Sequence, residues 1–104
     1  MKLTYYERGD SASVLTGGEI GPGDTWDVRE LDTDRIVRLD AAGRVIEYQF
    51  FNVRRHGVRL DDLESHEDRA SLQTLFREAG IAERGWSMPM EYVVVRRKRT
   101  TATG

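Results

Sequence analysis

The stretch Asp34–Phe51, DRIVRLDAAGRVIEYQFF, decides the fold. Arg35–Leu39 alternates, with Val37 and Leu39 on one face and Ile36 on the other. Asp40-Ala41-Ala42-Gly43 has the chemistry of a type I turn whose left-handed residue is Gly43, which predicts a bulged hairpin. Arg44–Phe51 then places Ile46, Tyr48 and Phe50 inward, and Glu47 and Gln49 outward. A hairpin with one apolar face needs further strands beside it and a cover over that face.

Upstream, Lys2–Tyr6 alternates with Leu3 and Tyr5 on one side, and Gly9-Asp10 marks a turn. Ala12–Thr16 reads as a short second strand. Thr16–Asp24 holds four glycines and a proline and reads as a loop. Thr25–Leu31 alternates Trp26 and Val28 against Asp27 and Arg29, which predicts a half-buried strand with Trp26 in the core. The cover is expected from a helix capped by Ser65. Glu67 and Asp68 stand in its first turn, Leu72, Leu75, Phe76 and Ala79 form one apolar stripe, and Gly80 follows its end. Met90–Arg96 reads as a last strand, and Arg97–Gly104 as a flexible polar tail. The expected architecture is α+β: one domain over residues 1–104, an antiparallel meander of five or six strands with one helix on one face.

Composition narrows the function classes. The 104 residues include 38% apolar and 33% charged side chains with net charge −2, so the chain is globular and carries no general attraction to nucleic acid or acidic membranes. It has no cysteine, which removes disulfides, thiolate metal sites and cysteine nucleophiles. No apolar run approaches a membrane span and the first residues lack a signal-peptide pattern, so cytosolic residence is the expectation.

MKLTYYERGDSASVLT followed by DRIVRLDAAGRVIEYQFFNV resembles the bacterial domain-of-unknown-function family 2283. The resemblance rests on Met1–Tyr5, the Asp-led strand Asp10–Leu15, and Ile36–Phe51 with Asp40, Gly43 and Arg44, about the first sixty residues. It implies a small β-rich fold without established activity or catalytic residues, and a companion-protein role of the antitoxin kind. The segment from about Glu64 onward extends beyond the usual family length.

Three groups of residues invite a functional reading. Asp61–Asp68 gathers five carboxylates and His66, yet it has neither EF-hand spacing nor a H-E-x-x-H continuation, because position 70 is Ala. The pattern fits a helix N-terminus better than a metal site, and no cofactor is expected. Arg54, Arg55 and Arg59, with Arg96, Arg97 and Lys98, offer an anion-binding face for which Tyr5, Tyr6 and Tyr48 would supply stacking. The third group is WSMPM with the valines after it: Trp86, Met88, Met90 and Val94 are the residue types of interface cores, and Val93-Val94-Val95 is apolar on both faces. Nucleophilic catalysis lacks a G-x-S-x-G elbow, and the glycine loop lacks a P-loop ending. The expectation is therefore a non-catalytic protein-interaction module, homodimeric or with a protein partner, anchored on Trp86 and Met88. A nucleic-acid or anion-binding protein is the alternative, and a small metal-dependent enzyme a distant one.

Overall fold

The computed structural model describes residues 1–84. The expected strand Met90–Arg96, the anchors Trp86, Met88, Met90 and Val94, the cations Arg96, Arg97 and Lys98, and the tail lie outside the described residues.

Five strands, β1 (Lys2–Tyr6), β2 (Ser11–Leu15), β3 (Asp27–Asp32), β4 (Arg35–Leu39) and β5 (Val45–Phe51), form one antiparallel sheet in the order β1-β2-β5-β4-β3. Two helices follow, α1 (Val53–His56) and α2 (His66–Glu78). The strands do not lie in chain order. The glycine-rich connection from β2 to β3 lets β5 come back beside β2, so among the described strands β5 is central and β1 and β3 are the edges.

The β4–β5 hairpin forms where its sequence demands it. Gly43 has φ 82°, its N–H donates to the Asp40 carbonyl, and the Asp40 carboxylate accepts from the backbone of Ala42 and Arg44. The bulge falls one residue further on. Leu39 pairs with Val45 and Arg38 with Glu47, so Ile46 is the extra residue. Val45 therefore packs against the core in place of the expected Ile46, while Tyr48 and Phe50 face inward as the alternation requires.

Helix α2 covers the inward face. The Ser65 hydroxyl accepts from the Asp68 backbone N–H, Leu72 and Phe76 are fully buried, and Gly80 takes φ 74° beyond the C-terminus. Phe76 meets Phe50 edge-to-face with ring centroids 5.0 Å apart, in a core shared with Ala12, Val14 and Val53.

The short helix α1 has a remote cap. Asn52 stands at its start in the left-handed region without a side-chain cap bond. Asp10 takes that role from the β1–β2 turn, accepting from the backbone N–H of Arg54 at 3.0 Å and Arg55 at 3.1 Å. Asp10 also accepts from the Tyr5 hydroxyl. Desolvation opposes its ionisation, but these bonds prevail and hold its carboxyl below the usual range.

After α1, the segment through Val58 lies beside the segment after α2 in a parallel bridge, Val58 with Glu83. Gly57 makes this approach feasible: it has φ 76°, and a Cβ there would stand 3.1 Å from the Ala82 carbonyl oxygen.

Candidate interaction surface

Among the described residues, neither face of strand β3 is covered. Trp26, just before the strand, is 76% exposed, Val28 48% and Leu31 43%. The expected core position of Trp26 is thus overturned. The alternation was right, but the apolar set faces the other way: Val28 pairs with Arg38, Arg38 pairs with Glu47, and both of these project on the face opposite α2. The residue facing the α2 side is Arg29, opposite the buried Val37. A half-buried strand at a sheet edge has no second layer to fix which set goes inside.

Among the described residues no strand pairs with the outer side of β3, and the Val28 backbone N–H donates to the Asp27 carboxylate at 2.9 Å. Asp27, Arg29, Glu30 and Asp32 punctuate the strand with charge, and the register shifts between Glu30 and Asp32, a bulge that shortens the edge. Asp27 and Arg29 form an exposed ion pair at 3.1 Å on one face of the strand.

Beside β3 on the α2 side lies an open groove of about 670 Å³. Leu31, Val37, Leu39 and Tyr48 line its apolar part, and Glu64 and Glu67 stand at the start of α2 on its far wall. The Tyr48 hydroxyl donates to Asp68 at 2.7 Å, and burial followed by this carboxylate drives the phenol's pKa well above its ordinary value.

One end of the groove is closed by a buried strut. Arg35 is only 4% exposed, and its guanidinium donates to both oxygens of Asp62, to Asp32 and to the Arg59 carbonyl. Hydrogen bonds from Arg35, and then from Arg59, outweigh desolvation and hold the Asp62 carboxyl far below the usual range. Arg59 reaches Asp62 at 2.7 Å. The signal for the burial of Arg35 was the strand alternation, which puts it on the face of Val37 and Leu39.

The expected anion-binding set is divided by this arrangement. Arg54 and Arg55 are exposed on α1, with the Arg54 guanidinium 5.0 Å over the Tyr5 ring. Arg59 is engaged by Asp62 on the strut. The three tyrosines do not share an open face: Tyr48 is buried in the core, Tyr5 packs against it, and Tyr6 projects on the opposite side of the sheet.

The acidic cluster is likewise dispersed. Asp62 turns to Arg35 and Asp68 to Tyr48, while His66 contacts Arg69. Among the described residues no three His, Cys, Asp or Glu side chains converge on a common point. On the open face Glu47 is 7% exposed and held by Arg38 at 2.7 Å, by the Ser13 hydroxyl and by the Gln49 amide. This carboxylate is matched within the chain rather than presented to a ligand.

Among the described residues no helix is long and apolar enough to cross a membrane. Comparison with protein families, curated proteins and solved structures finds no match to this chain.

Proposed function

We propose that this chain is a non-catalytic protein-interaction module that receives its partner along the β3 edge. The observation that carries this reading is the exposure of three large hydrophobics, Trp26, Val28 and Leu31, within six consecutive residues at one edge strand, with Val28 on the open face and Leu31 on the α2 side. Exposed apolar side chains along a strand with no described neighbour on its outer side suit strand addition, in which main-chain bonds give affinity and side chains give selectivity. At the end of the edge Asp32 is engaged with Arg35, which also binds Asp62, so this charge is matched within the chain. A companion-protein role of the kind implied by the family resemblance fits a module of this sort.

The alternative, anion binding, is supported by Arg54 and Arg55, which are exposed side by side on α1. Salt separates the two readings, since phosphate contacts weaken steeply with ionic strength and apolar ones do not.

The test is capture from the native host's lysate by the immobilised chain at low and high salt, with wild type compared to Trp26→Ala and Leu31→Ala. The interaction reading expects one protein retained at both salts and lost in both variants while their melting temperatures stay near wild type. Retention that is abolished by salt and indifferent to Trp26 and Leu31, but lost in an Arg54→Ala, Arg55→Ala variant, overturns it in favour of the basic face.

A further inference from the structure

We propose that the partner of the β3 edge is a second copy of this chain, joined by antiparallel β3–β3 pairing about a two-fold axis at Val28. This deepens, and rests on, the reading of β3 as an interaction edge.

Strand register decides where the two-fold axis stands. In an antiparallel pair, residues directly opposite each other lie on the same face of the sheet. A two-fold axis perpendicular to the sheet therefore has to pass opposite a residue, not between two residues. Within the unbulged part of β3 the axis can stand at Asp27, Val28, Arg29 or Glu30. Three of these choices set like charges against each other at the axis: Asp27 on Asp27, Arg29 on Arg29, or Glu30 on Glu30. The fourth sets Val28 against Val28, both about half exposed in the single chain. In that register Asp27 of each chain faces Arg29 of the other, twice over, and Trp26 faces Glu30. The Asp27–Arg29 contact, made at 3.1 Å between two exposed side chains of one strand, becomes a four-charge network across the junction.

The same charges explain why this edge can carry apolar residues without pairing indiscriminately. A slip by two residues in one direction opposes the two Arg29 side chains, and in the other the two Asp27 side chains. The bulge between Glu30 and Asp32 limits the ladder at its far end. The five described strands of each chain then join in one continuous sheet, with both α2 helices on the same face.

The experiment is a sedimentation series on the full chain over a wide concentration range, with Asp27→Arg, Arg29→Asp and the double exchange. The expected species has twice the 11.9 kDa chain mass. Each single exchange replaces two attractive cross-strand pairs by two repulsive ones, which weakens association at least ~10-fold, and the double exchange restores it. Both side chains are exposed, so the variants keep the fold, and circular dichroism checks this. Because the chain has no cysteine, Val28→Cys alone gives a disulfide-linked dimer on mild oxidation, whereas Thr4→Cys on the opposite edge does not. A monomer at every concentration, a dimer indifferent to both single exchanges, or a double exchange without recovery overturns the proposal. A monomeric chain that still loses a captured protein in Trp26→Ala sinks the self-pairing while sparing the interaction edge. A dimer as described, with capture unaffected by Trp26→Ala, supports the self-pairing and removes the case for a different protein partner.

Discussion

Arg35 on β4 donates to both carboxylate oxygens of Asp62, at 2.7 and 2.9 Å, across 27 residues of chain. The guanidinium is buried, and the carboxylate belongs to the loop between the two helices. This pair ties the connection that carries Val58, Leu60 and Leu63 into the core down onto the sheet. It fixes where α2 begins, and with it the wall of the groove beside β3.

Asp62→Asn removes the charge that faces Arg35 and is expected to lower stability by about 2 kcal/mol, less than for a fully buried pair because Asp62 is one-third exposed and Asp32 stays in place. Chemical denaturation read by far-UV circular dichroism checks this. A variant within experimental error of wild type would mean that water replaces the strut without loss.

Acid should unfold the chain through the same group. The folded-state pKa of Asp62 lies below its unfolded value because Arg35 and Arg59 bond the ionised form. Asp32 and Asp34 shift in the same direction: bonds from Arg35 overcome desolvation at Asp32, and the bond from Asn52 leads at Asp34. Groups depressed in this way contribute their full stability above the unfolded pKa and lose it as pH falls through the folded one. Denaturation midpoints are therefore expected to be flat between neutral pH and about pH 5, then to fall below about pH 4. Asp62→Asn flattens that fall. An acid limb of unchanged steepness in the variant would assign acid sensitivity to other carboxylates.

Two aromatic residues that the sequence patterns both assign to the core, Phe76 and Trp26, should behave oppositely. Phe76→Ala empties a fully buried site against Phe50 and is expected to cost about 3–5 kcal/mol, enough to leave the chain largely unfolded at moderate temperature. Trp26→Ala removes an exposed ring and should fall within about 0.5 kcal/mol of wild type. Thermal melts of the two variants decide it, and a large loss in Trp26→Ala would put that ring in a core after all.

Two glycines with almost the same φ separate strain from crowding. Gly80 at φ 74° has open space where a Cβ would stand, so Gly80→Ala carries only the left-handed penalty, about 1 kcal/mol. Gly57 at φ 76° faces the Ala82 carbonyl and the Arg84 side chain, so Gly57→Ala should cost about 1 kcal/mol more. Equal losses in the two variants would show that the Val58–Glu83 contact gives way freely.

The order of these effects follows what could be read from the chain. The β4–β5 hairpin was legible because Asp40 and Gly43 act through bonds to their own neighbours. Helix α2 was legible because Ser65 caps it locally and its stripe repeats at helical spacing. The bulge moved from the turn to Ile46 because the pairing register belongs to both strands. Helix α1 was missed because its cap, Asp10, lies far away in sequence. Of the candidate site residues, Arg54, Arg55 and Arg59 are neighbours in the sequence, yet Asp62 engages Arg59 and leaves the other two outside.

Local chemistry, written in neighbouring residues, determined the elements: alternation, turn glycines, a capping hydroxyl and an apolar stripe made this an α+β chain before any tertiary contact was considered. Which face of an edge strand meets the core is not a local property. β3 carries Val28 on the face opposite α2 and Leu31 on the α2 side, and only the edge position of β3 in the described sheet left both exposed. Strand order, the burial of Arg35 and the exposure of Trp26 all depend on partners distant in sequence, so they were decided when the sheet closed around β5 and not before.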